Sequence, residues 1–449
     1  MRSTRVWVLV FTLAILAATT FPTTTQALTK KLLHNFNGKN GAYPYSGGLT
    51  IDAAGNLYGA TTYGGGQGCY DGFLRGCGVV FELTPQPGGG WSEKVLHYFG
   101  LHDPGGYHPN GGLVFDASGN LYGTTSNGGR QSCGVGGSWC GAVFELMPSP
   151  NGAWAEVVLH SFYYNNNTDG VNPRAGLVFD ASGNLYGTTR SGGQGVCSDG
   201  NLHGCGTVFE ITPTESGWTE QVLYSFQGTN DGIWPEASLI LDGLGNLYGT
   251  TNEGGAGGLY GAGIVFELTP DPGGGWTEKI LHTFDGSYGG KDGNYPSAGV
   301  TFDVLGNLYG ATKYGPSQSY GPPCENGTDL GCGTVFALMP NPDGSWTEEI
   351  LHYFSTVKVD DGNNPSAGVI LDSSANLYGT TGSGGAYGSG TVFELTDQPD
   401  GTWTKKQLSF NFTDGATPSG VIFDAAGNMY GMTVYGGAHE VGTVFEIIP

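Results

Sequence analysis

The sequence predicts an all-β protein, a seven-bladed β-propeller with four antiparallel strands in each blade. The first observation is a signature, Gly-Asn-Leu-Tyr-Gly or a close variant, that recurs every 50 to 70 residues. This period suits a propeller blade and is too long for a leucine-rich or helical-hairpin repeat. The second is that no segment sustains the 3.6-residue period of a helix. The seven copies begin at Gly55, Gly119, Gly183, Gly245, Gly306, Ala375 and Gly427.

The third repeat shows how one blade is expected to be built. Residues 177–180 form a strand that enters a D-x-x-G-N turn, and the next strand follows at once over residues 184–189, so the two form a hairpin. A glycine-rich loop leads to a third strand over residues 207–211, and a turn leads to a fourth over residues 218–226. Four antiparallel strands, repeated around a ring, make a propeller.

The two ends of the chain predict how the ring closes. A Trp-x-Glu-x-x-Leu strand, with Lys405 in place of the glutamate in the sixth copy, follows each of the first six repeats but is missing after Phe445. Its counterpart is at the other end, where Leu32-Leu33-His34-Asn35-Phe36 matches Leu159-His160-Ser161-Phe162. We therefore expect the N-terminal strand to complete the last blade, which removes two exposed sheet edges.

The first 27 residues have the features of a signal peptide. Arg2 and Arg5 precede an apolar run over residues 6–18, and Thr-Gln-Ala at 25–27 suits cleavage. The run is short for a membrane span, although an uncleaved anchor is the alternative. Residues 28–449 would then be a single propeller domain, secreted to the extracellular space or the periplasm and not inserted in the membrane.

The cysteines agree with export. All eight fall into local pairs, each closing a glycine-rich loop. Zinc is the weaker interpretation, because C-x-x-C spacing is absent, whereas disulfides are expected in an exported chain. Three blades lack a pair, so the bridges stiffen particular loops and do not hold the fold together. The predicted disulfides are Cys69/Cys77, Cys133/Cys140, Cys197/Cys205 and Cys324/Cys332.

The net charge of −23 mostly reflects the repeat, because more than half of the 39 acidic residues recur in its motifs. Charge spread in this way gives solubility and excludes nucleic acid and anionic membranes as partners. We expect a monomer. We also expect no cofactor, since no phosphate-binding or dinucleotide motif occurs in a suitable context. The Asp-Gly-Asn segments at 292–294 and 361–363 lack the rest of a calcium loop, so no metal is predicted.

Repeated aromatic residues are interpreted as packing between blades. Gly59 and its six equivalents lie inside a strand, which predicts close approach of an aromatic ring from the neighbouring blade. The histidines of the L-H-x-F motif lie on the outermost strand, far from the channel, and are also interpreted as packing residues. They are His34, His97, His160, His282 and His352.

The repeat unit P-x-x-G-L-x-x-D-x-x-G-N-L-Y-G-T-T, followed by G-T-V-F-E-L and L-H-x-F, resembles the GloVer tandem-repeat family of bacterial extracellular proteins. The resemblance covers residues 28–449. It implies an extracellular protein and lends no catalytic residues. The first half of the unit, seen at residues 173–180, also resembles the NHL-type repeat, which implies that this strand is innermost and lines the central channel.

Antiparallel strand order makes the two faces of the propeller unequal. The cysteine loops and the D-G-x-x-P connections fall together on one face, which we call the long-loop face. The D-x-x-G-N turns fall on the other, the short-turn face. Ligand sites are expected on the long-loop face, because long variable loops carry most binding sites.

The residues that interrupt the repeat on that face are the candidate site. Aromatic rings there suit stacking on sugars, or merely cover the loops beneath them. Arg174 and Glu236 follow equivalent prolines in neighbouring blades and either orient a ligand or form a salt bridge. Arg190 and Lys313 match each other after the second strand and could instead compensate charge. The candidate ligand-binding residues are Trp139, Trp234, Arg174, Glu236, Arg190, Lys313 and Tyr107.

Three functions fit these features. The first is a secreted propeller that recognises carbohydrate or another extracellular surface through its long-loop face. The second is a polysaccharide lyase or hydrolase that uses Arg174 and Glu236 at the channel mouth. The third is a structural or protein-interaction platform. No residue set identifies a reaction, so a binding protein is preferred to an enzyme.

Overall fold

The computed structural model describes most of the chain after the predicted leader. The described residues are 28–45, 47–66, 68–71, 74–129, 140–163, 168–197, 204–228, 230–256, 261–285, 292–296, 298–316, 324, 331–356 and 360–448. Every regular element among them is a β-strand. Within these ranges no helix is long and apolar enough to cross a membrane.

Seven antiparallel sheets, which we number as blades in chain order, form a β-propeller and confirm the predicted fold class. The innermost strands are Thr50–Ile51, Val114–Phe115, Val178–Phe179, Ile240–Leu241, Thr301–Phe302, Ile370–Leu371 and Ala416–Phe423. The second strands are Leu57–Thr61, Leu121–Asn127, Leu185–Thr189, Leu247–Thr251, Leu308–Thr312, Leu377–Gly384 and Met429–Tyr435. The third strands are Val79–Pro85, Ala142–Pro148, Thr207–Thr214, Ile264–Pro270, Thr334–Pro340, Thr391–Asp397 and Thr443–Ile448. The outermost strands are Trp91–Tyr98, Trp154–Ser161, Gly217–Ser225, Trp276–Thr283, Trp346–Tyr353, Trp403–Ser409 and Thr29–Asn35.

Six short strands add to this pattern on the long-loop side. Tyr107–Pro109 and Gly362–Pro365 extend the inner edges of blades 2 and 6 by pairing with their second strands. Two small ribbons pair Gly170–Val171 with Ser191–Gly192 and Tyr70–Asp71 with Leu74–Arg75. These additions thicken the face on which the long loops lie.

The ring closes as predicted from the chain ends. The N-terminal strand Thr29–Asn35 runs antiparallel to the third strand of blade 7, with Thr29 opposite Ile448 and Asn35 opposite Thr443. Blade 7 therefore takes its outermost strand from the start of the chain and its other three strands from the end. The N-terminal strand covers what would otherwise be an open sheet edge.

The core lies between the blades. The phenylalanine of each L-H-x-F motif, or of its variant, packs edge-on against the phenylalanine in the third strand of the next blade. Phe99 and Phe144 are typical, with ring centroids 5.2 Å apart and both side chains fully buried. Edge-to-face pairs of this kind add about 0.5–1.5 kcal/mol to the burial of the rings. The predicted packing role of the phenylalanine column is confirmed.

The strand glycines contact an aromatic ring, but not the expected one. A Cβ on Gly59 would lie 2.8 Å from Cζ of Phe81, and Phe81 is the residue paired with Gly59 in the same blade. The same geometry recurs in the other six blades. The expectation of a ring from the neighbouring blade is wrong, because the third-strand phenylalanine lies back over its own cross-strand partner.

A second glycine column joins neighbouring blades on the long-loop side. Gly78 precedes the third strand with φ +97°, and a Cβ there would lie 2.6 Å from Cδ of Pro109 in the next blade. A glycine–proline contact of this kind occurs at all seven seams. The residues just before and after each proline are thereby held at the mouth of the central channel.

Candidate ligand-binding face

The residue before the proline of each D-G-x-x-P connection, or its variant, has a left-handed backbone in every blade. The φ values lie between 54° and 61°, and none of the seven is glycine. Such a conformation costs on the order of 1–3 kcal/mol and persists only where the surroundings fix it. We call these residues the pre-proline ring: Tyr43, His108, Asn172, Trp234, Tyr295, Asn364 and Thr417.

Backbone hydrogen bonds from two blades hold each of these residues. The N–H of Trp234 donates to the carbonyl of Cys205 in the preceding blade (2.9 Å). The carbonyl of Trp234 accepts from the N–H of Asn252 in its own blade (3.1 Å). In each of the four cysteine-bearing blades the acceptor is the second cysteine of the predicted pair, so these loops connect directly to the mouth. The other three pairs are His108 with Cys77, Asn172 with Cys140 and Asn364 with Cys332.

Three of the four predicted disulfides are seen. They join Cys69 to Cys77, Cys197 to Cys205 and Cys324 to Cys332. Cys133 of the fourth pair lies outside the described residues. Disulfides suggest an oxidising environment.

Blades 3 and 4 form a charged sector at the mouth. Arg174 and Glu236 make the predicted salt bridge, with 3.1 Å between Nη1 and Oε1. Arg190 joins the same carboxylate through Nε at 2.6 Å, and Asn252 donates to its other oxygen at 3.2 Å. Two guanidinium groups thus share one carboxylate. Because the Arg174 side chain is 38 % exposed and that of Arg190 only 14 %, Arg174 is the cation that a ligand would meet.

Trp234 belongs to this sector. The guanidinium carbon of Arg190 lies 4.3 Å from the centroid of the Trp234 ring, a cation–π contact. Asn172 accepts a hydrogen bond from Nε of Arg174 at 2.9 Å. Salt bridge, stacking and amide contacts hold these side chains in one arrangement.

Tyrosines from blades 1 and 7 form a second sector, the tyrosine sector. The hydroxyl groups of Tyr45 and Tyr435 lie 2.7 Å apart, and their ring centroids are 6.0 Å apart. Tyr43 and Tyr63 complete the group, with centroids 6.2 Å from that of Tyr45. Burial and the hydrogen bond to Tyr435 raise the pKa of Tyr45, so its hydroxyl stays protonated. Tyr45 is nevertheless 39 % exposed and presents part of its ring to solvent.

The central channel borders the charged sector. Its cavity, of about 350 Å³, is lined mainly by glycine, alanine and serine residues that follow the prolines, together with Arg174 and Glu236. Small residues are required there because the backbones of neighbouring blades approach closely. A Cβ on Gly47, for example, would lie 2.3 Å from the backbone nitrogen of Gly112.

The structure brings four of the seven predicted site residues together: Trp234, Arg174, Glu236 and Arg190. Lys313 lies in blade 5, with its ammonium 5.4 Å from the centroid of the Tyr314 ring. Tyr107 is only 7 % exposed and packs with Cys69 and Cys77 in the core, so we leave it out of the site. Trp139 lies outside the described residues.

Sequence reasoning missed Tyr63 and Tyr435 as partners of Tyr45. Both stand six residues after the first residue of the Leu-Tyr-Gly or Met-Tyr-Gly motif, as does Tyr314 in blade 5. That shared offset was the available signal. Asn172 and Asn252 were also missed, because each contacts a residue of a different repeat position and the repeat pattern does not show which positions meet across the ring.

A separate set of polar clusters lies between the outermost strands. His97 is 3.1 Å from Asp103 and 3.7 Å from Glu156 of the next blade, and its ring packs edge-on against Phe99. Among the described residues, three clusters bring one histidine nitrogen and two carboxylate oxygens within 4.8 Å of one another, a donor set that could hold a shared proton or a divalent cation. At the seam between blades 5 and 6, Lys405 replaces the glutamate and contacts Asp361. The histidine rings pack against phenylalanines as predicted, whereas the pairing of their nitrogens with carboxylates was not predicted, and the predicted lack of a metal stays a prediction.

Comparison with solved structures finds several proteins of low similarity. A glucose dehydrogenase is 15 % identical, with 94 % of this chain and 99 % of that chain covered and a TM-score of 0.41. A protein of unknown function from Dyadobacter fermentans is 9 % identical over 94 % and 98 % of the two chains, with a TM-score of 0.43. A gluconolactonase from Xanthomonas campestris is 14 % identical over 92 % and 87 %, with a TM-score of 0.36. No curated protein matches the sequence.

The repeat itself places the chain in a family. The Gloeobacter/Verrucomicrobia repeat matches residues 15–195, 139–322 and 318–449, which together take in all seven blades. The matched residues include the repeat motifs on which the resemblance to the GloVer tandem-repeat family was based. The chain therefore belongs to the Gloeobacter/Verrucomicrobia repeat family.

Proposed function

We propose that this protein is an exported binding propeller that holds a carbohydrate over the channel mouth on its long-loop face. The arrangement that supports this most is the placement of two dissimilar sectors on opposite sides of the propeller ring. In a ring of seven, blade 4 lies opposite the seam between blades 7 and 1, so the blade that carries Trp234 and Glu236 is across the ring from those that carry Tyr45 and Tyr435.

The side chains of the two sectors suit a sugar. The rings of Tyr45 and Trp234 are both partly exposed and offer apolar surface for the apolar face of a pyranose. The partly exposed guanidinium of Arg174, whose Nε and Nη1 are held by Asn172 and Glu236, suits hydroxyl groups and especially a carboxylate. Because the pre-proline ring is held by backbone hydrogen bonds from two blades, little ordering of the mouth is required when a ligand binds.

Binding without turnover is favoured over catalysis at this mouth. Glycoside hydrolysis generally needs two carboxyl groups flanking the scissile bond, one of which transfers a proton. The carboxylate of Glu236 is already held by Arg174, Arg190 and Asn252. That arrangement suits orientation of a ligand better than proton transfer.

A panel of soluble polysaccharides tests the proposal. The panel contains neutral glucan, mannan and xylan together with carboxylated alginate and pectate, and binding is measured by affinity electrophoresis and calorimetry. Trp234→Ala and Tyr45→Ala should each weaken binding at least about tenfold, since aromatic residues dominate such contacts. Val304→Ala is the control, because Val304 is fully exposed on the short-turn face.

Two results would contradict the proposal. One is that no polysaccharide in the panel binds the parent protein. The other is that Trp234→Ala and Tyr45→Ala bind as well as Val304→Ala. Release of reducing ends from any bound polymer, abolished by Glu236→Gln, would instead favour the lyase or hydrolase hypothesis.

A further inference from the structure

Six of the seven seams between blades contain a tryptophan on the short-turn side. Each tryptophan follows the turn that leads into an outermost strand and lies against the second-strand tyrosine of the preceding blade. Trp154 and Tyr58 have ring centroids 6.4 Å apart, and Trp218 and Tyr122 are 6.1 Å apart. In five of the six blades the tryptophan also stands opposite the last residue of its own third strand, as Trp91 stands opposite Pro85.

Among the residues that the structure describes, the seam between blades 6 and 7 has no tryptophan at this position. The outermost strand of blade 7 is the N-terminal strand, in which Thr29 pairs with Ile448. One step further along that register, Leu28 takes the tryptophan position and packs with Tyr378 and Phe423. A leucine is much smaller than an indole and cannot cover the tyrosine ring to the same extent.

A cavity of about 750 Å³ occupies this seam, within the range of small-molecule sites. Its apolar wall is formed by Leu28, Tyr378, Phe423 and Met429. Tyr378 and Phe423 are packed edge-on with centroids 5.1 Å apart, so the ring surfaces are fixed. Glu394 and Lys406 also line the cavity.

Lys406 stands where lysines of other blades donate a hydrogen bond to a glycine carbonyl of the next blade. The equivalent lysines in two other blades each donate to a glycine carbonyl in the turn before the next tryptophan: Lys94 to Gly152 at 2.6 Å and Lys279 to Gly344 at 2.7 Å. The sequence before Leu28 contains no such glycine turn. The side chain of Lys406 is 65 % exposed and lies 3.5 Å from Glu394.

We propose that this cavity, the open tryptophan slot, binds a small planar aromatic molecule of indole size that carries a carbonyl oxygen. The ring takes the place that an indole occupies in the other six seams, against Tyr378 and Phe423. The carbonyl oxygen accepts a hydrogen bond from Lys406, as the glycine carbonyl does in blades 2 and 5. The slot is on the short-turn face, so the inference does not depend on the proposed carbohydrate site.

Calorimetry with indole-3-acetamide and indole tests the inference on protein produced from the full-length chain. Both compounds should bind the parent protein. Leu28→Trp should weaken both at least about tenfold, because the seam's own indole then fills the slot. Leu28→Ala is the matched control at the same position and should bind both compounds at least as well as the parent. Lys406→Met should weaken indole-3-acetamide about tenfold and leave indole unchanged, since only the amide offers the hydrogen-bond acceptor.

Thermal unfolding gives a second measurement that does not require ligand. Leu28→Trp should raise the melting temperature and Leu28→Ala should lower it, because the first fills the cavity and the second enlarges it. The inference is overturned if neither compound binds the parent at millimolar concentration. It is also overturned if both compounds bind Leu28→Trp as well as they bind the parent.

Discussion

Several buried carboxyl groups between the outermost strands have raised pKa values. Glu348 is largely buried and lies 3.5 Å from His282 and near Asp292. Burial raises the pKa of Glu348 to about 7 and that of Asp292 to about 6. Burial likewise raises the pKa of Glu220 and of Glu278 to about 7. The same position in neighbouring seams thus favours a protonated carboxyl in the folded protein.

These shifts predict a stability that falls as pH rises. A carboxyl whose pKa is higher in the folded than in the unfolded chain binds its proton more tightly when the chain is folded. For Glu348, the resulting stabilisation is present below about pH 4.5 and is lost as the pH passes about 7. Glu348→Gln removes this titration. Between pH 5 and pH 7.5 the free energy of unfolding of the parent should therefore fall by about 2 kcal/mol more than that of the variant.

Denaturant unfolding at the two pH values measures the difference. Glu349→Gln is the matched control, because Glu349 is the next residue on the same strand and is exposed. It should keep the pH dependence of the parent. Identical pH dependence in the parent and in Glu348→Gln would show that Glu348 is already ionised in the folded protein at pH 5.

At the scale of elements, the disulfide loops act on the neighbouring blade. The carbonyl of Cys205 in blade 3 fixes Trp234 of blade 4, and that of Cys77 in blade 1 fixes His108 of blade 2. A bridge with a sequence separation of 8 contributes about 2.5 kcal/mol at most by loop closure. Its larger effect is expected on the order of the mouth residue that it holds.

Paired disulfide variants separate these two effects. In Cys197→Ala/Cys205→Ala, hydrogen exchange at the Trp234 amide should speed up about tenfold or more, while the His108 amide is unchanged, because only the first acceptor is loosened. In Cys69→Ala/Cys77→Ala the pattern should be reversed. Both variants should remain folded at 25 °C. Equal acceleration at the two amides in either variant would mean that the loops stabilise the whole ring and not the adjacent mouth residue.

Much of each element could be predicted from the repeat, because a signature that recurs seven times fixes strand order and faces. The salt bridge between Arg174 and Glu236 followed from their equivalent positions in neighbouring blades. The glycine contact was assigned to the wrong blade, since a repeated column does not say whether Gly59 meets the phenylalanine of its own repeat or of the next. The tyrosine sector escaped prediction because Tyr45 and Tyr435 are 390 residues apart and meet only when the ring closes.

At the scale of the whole molecule, stability depends on the meeting of the two chain ends. Phe36, which follows the N-terminal strand, is fully buried and packs against Phe81 of blade 1 at a centroid distance of 5.1 Å. Lys30 of the same strand pairs with Asp414 of blade 7 at 2.8 Å. The N-terminal strand therefore joins blade 7 to blade 1 as well as completing a sheet.

A circular permutant tests whether connectivity or only the presence of this strand matters. The permutant begins at Gly38 and joins Pro449 to Leu28 through the turn Gln-Pro-Gly-Gly-Gly, which occupies residues 86–90 in blade 1. It should fold with a melting temperature close to that of the parent, because it gives blade 7 the connectivity of the other six blades. Deletion of residues 28–36 should instead cost more than about 3 kcal/mol, through loss of Phe36 alone, and expose the strand Thr443–Ile448 to edge-to-edge association. Thermal unfolding and size-exclusion chromatography measure both outcomes. If the variant without residues 28–36 stays monomeric and as stable as the parent, six complete blades hold the ring without the N-terminal strand.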